Sequence, residues 1–272
     1  MTISILGCGW LGFPLAQNLL SLGFSVKGST TSEKKVKTLK QAGIETYLIK
    51  LPEQLESEEN RDFWNSDILF LNIPPSRGDS DVEKNYPTLI QKVVDKATSA
   101  GIDWIIFASS TSVYSSTGGV TDESDAKPGS ASRPSGEAVL RAEQVLQSST
   151  LDVSIIRFGG LYGYGRHPVK YLAGRKDLSD ASKPVNLIHQ TDCLNIIQKI
   201  IELNKRNDVF NAVSDGHPPR KEFYISAAHH FNLPEPQFSK DGRKDYRVIS
   251  NEKVKRELEY TFSYPNPMDH TP

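Results

Sequence analysis

The sequence predicts an α/β protein built on a doubly wound parallel sheet with a small C-terminal lobe, and three observations carry that prediction. Apolar bursts of about four to six residues recur along the first part of the 272-residue chain, with longer helical patterns between them, the rhythm of βαβ units. A glycine-rich turn separates the first burst from the first helical pattern. After Gly159 the texture changes, with Gly, Pro and Tyr concentrated through Pro168 and Pro again at 217–219.

Taken in order, the bursts lie at residues 3–6, 25–28, 45–49, 68–71, 104–108 and 153–156, and helical spacing runs over 11–22, 33–42, 82–100 and 136–147. Ser32 stands at the N-cap position before the second helix, and Gly43 follows as a stop signal. Six strands with helical crossovers thus fill the first ~160 residues in a Rossmann-type arrangement. A helix at 192–204 and a strand at 209–213 are expected to return to the sheet. The expected division puts 1–158 and 191–214 in the sheet domain, 159–190 and 215–272 in the C-terminal substrate lobe, and makes 265–272 a loose tail.

Composition removes several classes of function. Lys and Arg number 32 against 33 Asp and Glu, so no charge imbalance invites nucleic acid or an anionic membrane. The apolar stretch at 3–22 does not read as a signal peptide or membrane span, because its first basic residue is Lys27 and Ser4, Gln17, Asn18 and Ser21 interrupt it. Cys8 and Cys193 are too few for a disulfide framework or a cysteine zinc site. His229 and His230 are neighbours, which on a helix point roughly 100° apart. The expectation is a cytoplasmic protein with no metal, no nucleic-acid and no membrane partner, acting on a small molecule.

Gly7-Cys8-Gly9-Trp10-Leu11-Gly12 is a GxGxxG turn directly between strand and helix. In that setting the first glycine permits the turn, the second admits a pyrophosphate and the third packs helix on strand. The second strand ends in Ser29-Thr30-Thr31-Ser32, followed by Lys34 and Lys35, with no carboxylate for the ribose hydroxyls of NAD(H). That favours NADP(H) over NAD(H), although a helix cap and a solvated helix face account for the same residues.

Ser109-Ser110-Thr111-Ser112-Val113-Tyr114 follows the fifth strand, Glu123 comes next, and Arg133-Pro134-Ser135-Gly136-Glu137 opens a helix. Arg157-Phe158-Gly159-Gly160-Leu161-Tyr162-Gly163 follows the sixth strand, and Ile188-His189 with Asp192 precedes a late helix. Together these segments resemble the extended short-chain dehydrogenase/reductase family, most of all its atypical members of the NAD-dependent epimerase/dehydratase type.

That resemblance implies hydride transfer at a sugar or carbinol carbon, served by a hydroxyl residue after the fifth strand and a Tyr-x-x-x-Lys helix. Ser110 takes the hydroxyl position, whereas Ser135 stands at the tyrosine position and Val139 at the lysine position. A missing general acid/base typically costs ~10²–10⁴ in rate. Tyr114, Tyr162 and His167 are the substitutes suggested by location, and Ser110, Ser135 and Tyr114 form the expected catalytic set. The expected cofactor set adds Ile73, Pro74, Ser109, Gly159 and Gly160 to Gly7, Gly9, Trp10, Leu11, Gly12 and Ser29 to Ser32. Ser112, Tyr162, Arg166 and His167 are the expected substrate residues, although surface-loop chemistry explains Arg166 and His167 equally. Val185 and Asn186 stand where nucleotide-sugar enzymes of the family carry a diphosphate-binding arginine, and Asp192 is expected to cap the helix after it. The implied function is an NAD(P)-binding oxidoreductase or epimerase on an unidentified small molecule. Ser135 and Val139 keep open the alternative of an NADP(H)-binding sensor or scaffold without turnover.

Overall fold

A computed structural model describes residues 1–239 and 246–269. Its elements, in chain order, are β1 (Thr2–Leu6), α1 (Gly12–Ser21), β2 (Ser25–Thr30), α2 (Glu33–Gln41), β3 (Glu45–Leu48), β4 (Ile68–Leu71), α3 (Val82–Ser99), β5 (Trp104–Ser110) and β6 (Gly119–Thr121). There follow α4 (Pro134–Gln147), β7 (Asp152–Phe158), β8 (Gly160–Tyr162), β9 (Leu187–His189), α5 (Gln190–Glu202), β10 (Asp208–Ala212), α6 (Arg220–His230), β11 (Arg247–Ile249) and α7 (Glu252–Glu257).

The central parallel sheet has seven strands in the order β10-β7-β5-β4-β1-β2-β3. From β1 the chain winds outward through β2 and β3, then returns to β4 on the other side of β1 and continues to β5. Strand order therefore reverses between β1 and β4, and in open α/β sheets the crevice beyond such a reversal binds ligands. The apolar bursts become strands because helices cover both faces: all four residues of β4 are buried, as are Trp104 to Phe107 in β5. Strands β5 and β7 each run two residues past the apolar run that predicts them. In β5 the extension is supported by Ser109, whose buried hydroxyl has its own acceptor and so leaves the ladder unbroken. Lys27 in β2 is buried too, with Nζ donating to the carbonyls of Asp62 at 2.5 Å and Asn65 at 2.8 Å.

Helix ends follow local chemistry, with one correction. Gly43 ends α2 at φ +79 and donates its N–H to the Lys40 carbonyl. Ser32 occupies the N-cap position of α2, yet its hydroxyl caps nothing; its own N–H donates to Thr30 Oγ1 at 3.2 Å.

Two compact units result. The first comprises Met1–Val113, Lys127–Ile156 and Ile200–Val209; the second comprises Tyr114–Ala126, Arg157–Lys199 and Phe210–Pro272. The second unit contains two small parallel pairs, β6 with β11 and β8 with β9. Its apolar clusters gather Tyr162, Leu187 and Phe223, and Val169, Ala227 and Ala228. The expected loose tail is corrected: the Pro265 carbonyl accepts the Gly216 N–H at 2.8 Å, and Pro267 is buried in a short 3₁₀ turn. Only residues 270–272 of that segment lie outside the described residues. Among the described residues no helix is long and apolar enough to cross a membrane, and no cluster of His, Cys, Asp and Glu could hold a metal ion.

Candidate functional site

Between β1 and α1 the chain has Gly7 to Leu11 in which to turn. Gly7 adopts φ +110, and a Cβ there would lie 2.5 Å from the Asn72 carbonyl oxygen; a Cβ on Gly12 would lie 2.3 Å from the Gly7 oxygen. Nothing comes within 4 Å of the Cβ position of Gly9. The chain's own packing therefore requires two of the three glycines and leaves the second without an internal reason. Hydrogen bonds hold the turn: Gly7 N–H donates to Ser29 Oγ at 2.9 Å, Cys8 N–H to the Ser29 carbonyl at 2.8 Å, and Asn72 Nδ2 to the Gly7 carbonyl at 3.0 Å. No side chain caps α1 and its first turn carries no acid, so the positive end of the helix dipole has no carboxylate of its own.

The expected cofactor residues differ in exposure and partners. Ser29 is buried, and its hydroxyl accepts the Gly7 N–H. Thr30 is also buried and accepts from Ser32, while Thr31 is exposed and Ser32 half-buried. Leu11 packs into the core, whereas Trp10 is half-buried beside it in sequence. Ile73 is half-buried and its carbonyl accepts the Tyr86 hydroxyl at 2.7 Å; Pro74 is exposed. Burial pushes the Cys8 thiol up to about 12, which makes it inert.

At the end of β5, Ser109 Oγ donates to Glu143 Oε1 at 2.5 Å, and that carboxylate is fully buried within α4. Ser110 is half-buried, and its Oγ accepts the Ser112 N–H at 3.1 Å, which orients the hydroxyl while its own proton can still be donated. Ser112 is half-buried in the turn. A Cβ on Gly136 would lie 2.2 Å from the Ser112 carbonyl oxygen, so the start of α4 sits directly on the serine turn. This docking leaves Ser135 exposed and Val139 only 5% exposed.

In the second unit the catalytic candidate Tyr114 lies within a hydrogen-bond network. It is buried, its hydroxyl donates to Asn211 Oδ1 at 2.7 Å, and Arg157 Nη1 donates to it at 2.7 Å. Arg157 Nη1 also reaches the Glu123 carbonyl at 2.8 Å, and Glu123 Oε1 accepts the Asn211 N–H at 2.8 Å, closing the network. Burial pushes the Tyr114 phenol up to about 12. Gly159 and Gly160 likewise have internal reasons, since added Cβ atoms would lie 2.8 Å from the Asn186 oxygen and 2.6 Å from Leu187 Cδ2.

Tyr162 and His167, expected to meet substrate, are both buried. Tyr162 belongs to an apolar cluster and burial raises its phenol, while His167 stacks on Phe223 at 5.4 Å and accepts the Val169 N–H at Nδ1. Arg166 is half-buried and forms the far side of a tight hairpin with Gly163. Asp192 is corrected as well. It lies inside α5, where Oδ1 accepts the Tyr260 hydroxyl at 2.5 Å and the Ser263 N–H at 2.7 Å, and Oδ2 accepts the Tyr264 N–H at 3.0 Å.

His189 is completely buried under aromatic rings, with Tyr264 at 3.7 Å and Tyr162 at 5.2 Å between centroids. Its Nδ1 accepts the Thr191 N–H at 3.2 Å, and Nε2 has no hydrogen-bond partner. Burial lowers its pKa to about 4, below the ~6.5 of an exposed imidazole. Between those values the unfolded chain binds a proton that the native ring refuses, so stability is full above pH ~6.5 and falls as pH drops towards 4, by up to about 3 kcal/mol. Buried Glu123 and Asp192 have raised pKa values and act in the opposite direction at acid pH, because each favours its protonated native form. The test is therefore a difference: urea midpoints at pH 7 and pH 5 should lie closer together in His189→Phe than in wild type. Equal spacing in the two proteins contradicts the assignment.

A parallel sheet opened by a strand, a locked glycine turn and an uncapped helix defines a dinucleotide-binding class of protein. Residues 7–186 match the family described as NAD(P)H-binding, and the chain belongs to that family. It is 33% identical over 271 residues to protein YeeZ of Escherichia coli K12, covering 98% of this chain and 97% of that one. Among solved structures it resembles the UDP-glucuronic acid 4-epimerase of Bacillus cereus in complex with NAD, with TM-score 0.79 and 17% identity over 100% of this chain and 97% of that one. A functionally unknown conserved protein from Silicibacter pomeroyi DSS gives TM-score 0.76 and 22% identity over 99% and 96%. At such identities the structural likeness is one of fold.

Proposed function

We propose that the protein is an NADP(H)-preferring oxidoreductase or epimerase-like enzyme that acts at a carbinol or carbonyl carbon of an unidentified small molecule. The observation that carries this reading is Gly9, a residue whose side-chain position is open to space at the start of an uncapped helix. Backbone N–H groups of Leu11 and Gly12 would hold a pyrophosphate, and Thr31, Ser32 and the exposed Lys34 and Lys35 would meet a 2′-phosphate. A nicotinamide dinucleotide supplies hydride chemistry when bound. Ser110, already oriented by Ser112, donates its hydroxyl proton to a substrate oxygen. The neutral pair Val185 and Asn186 argues against a nucleoside-diphosphate sugar as substrate.

Calorimetric titration tests the reading. NADPH is expected to bind at least about tenfold more tightly than NADH, the equivalent of one charge-assisted contact. Equal or reversed affinities overturn the preference, and failure of both dinucleotides to bind overturns the function.

A further inference from the structure

Two hydrogen bonds to a single residue tie the glycine turn to the carboxyl end of β2. Ser29 accepts the Gly7 N–H at its hydroxyl, 2.9 Å, and the Cys8 N–H at its carbonyl, 2.8 Å. The start of α1 is thereby fixed relative to the residues that follow β2, and in a Rossmann-type sheet the 2′ position of the adenosine ribose lies over that strand end. Strand β3 runs beside it. Thr30 pairs with Leu48, and the ladder continues one residue further, where the Ile49 N–H donates to the Thr30 carbonyl at 3.0 Å. Lys50 is the first residue beyond that bond, so its backbone emerges about one strand spacing, ~5 Å, from the chain that leads into Thr31 and Ser32.

The backbone of Lys50 is held while its side chain is free. Its N–H donates to Gln54 Oε1 at 2.7 Å and its carbonyl accepts the Gln54 N–H at 2.9 Å, and Ile49 and Leu55 to either side are buried. The side chain is exposed, and among the described residues its ammonium has neither hydrogen bond nor ion pair. Lys27 of β2 shows the contrast, since its buried ammonium is committed to two carbonyls. No carboxylate stands at residues 29–32 or 49–52 to compete for Lys50 or to repel an anion. Of the acids that flank β3, Glu45 lies at its opposite end and accepts the Tyr47 hydroxyl, Glu56 is paired with Lys96 at 2.7 Å, and Glu53 is exposed. Lys34 and Lys35 approach the same strand end from α2, but as helical neighbours they point roughly 100° apart and do not face one group together.

We propose that Lys50 is a specificity-determining residue that pairs with the 2′-phosphate of NADP(H), an inference that rests on the NADP(H) reading above and adds a residue from a second strand to it. A phosphate monoester carries about −1.5 to −2 charge at pH 7 and forms charge-assisted hydrogen bonds with an ammonium. The 2′-hydroxyl of NAD(H) carries no charge to pair. Lys50 therefore discriminates between the two dinucleotides without touching the part they share.

The test uses two probes on the full chain, adenosine 2′,5′-bisphosphate and adenosine 5′-monophosphate, which differ only by the 2′-phosphate. Calorimetric titration of wild type should give at least about tenfold tighter binding of the bisphosphate. Lys50→Ala should cut that ratio at least threefold through the bisphosphate alone, with the monophosphate Kd within about twofold of wild type. Lys50→Arg should keep the ratio within about twofold of wild type, and Lys50→Glu should lower it further than Lys50→Ala does. A cut below threefold in Lys50→Ala overturns the inference, as does an equal loss of both probes, which would make Lys50 a support of the fold. Wild type that binds the bisphosphate no more tightly than the monophosphate overturns the NADP(H) preference itself, and the role of Lys50 falls with it. A strong wild-type preference that Lys50→Ala leaves unmoved overturns the role of Lys50 alone.

Discussion

Gly9→Val is expected to weaken NADPH binding by at least ~100-fold while leaving the fold intact. A Cβ at this position has no neighbour within 4 Å beyond the adjacent residues, and the backbone needs no positive φ. The branched side chain of valine would instead fill the space that a pyrophosphate needs at the N-terminus of α1, and loss of two charge-assisted N–H contacts at about 1.5–3 kcal/mol each exceeds a hundredfold. Gly12→Val is the control that separates binding from folding. Its Cβ would lie 2.3 Å from a backbone oxygen, so that variant should unfold or fail to accumulate. Near-native circular dichroism and thermal unfolding for Gly9→Val, together with unchanged NADPH affinity, would contradict the assignment.

The second large effect is expected at Asp192→Ala, through stability. Three donors converge on this carboxylate, the Tyr260 hydroxyl and the N–H groups of Ser263 and Tyr264, and all three lose their acceptor together. Removing the charge also relieves its desolvation, which is the largest influence on its raised pKa, so the loss is smaller than three full bonds. A decrease of about 2–3 kcal/mol follows, or a Tm lower by roughly 5–10 °C. Asp192→Asn keeps Oδ1 for two donors but turns an amide N–H₂ towards the third, and should lose less. Limited proteolysis should cut the alanine variant after residue 262, where the C-terminal segment loses its bracket. An unchanged Tm and cleavage pattern would show that these bonds stabilise nothing.

The sheet was legible because strand burial and helical spacing leave direct traces in residue order; β1, β4 and the four helices up to α4 lie within two residues of their predicted bounds. The strands β6, β8, β9 and β11 have three residues each, too few for any period to show. Within the candidate site, residue type was legible but orientation was not. Ser29 and Tyr114 fall at suggestive positions, yet both side chains turn inward to partners 22 and 97 residues away in sequence. Glu143 carried a readable signal: it shares a helical face with Val139 and Leu146, so a carboxylate stands on the apolar side of α4. Asn72 and Asn211 carried none, because their roles exist only once distant strands lie side by side.

The contact between Gly136 and the Ser112 carbonyl bears on how the chain could change over generations. With α4 seated so tightly on the serine turn, its register cannot slip, and position 139 stays inside the packing. A lysine placed there would have to thread its ammonium out of the apolar contacts or surrender its charge. Val139→Lys is therefore expected to cost stability unless neighbouring positions are reshaped with it.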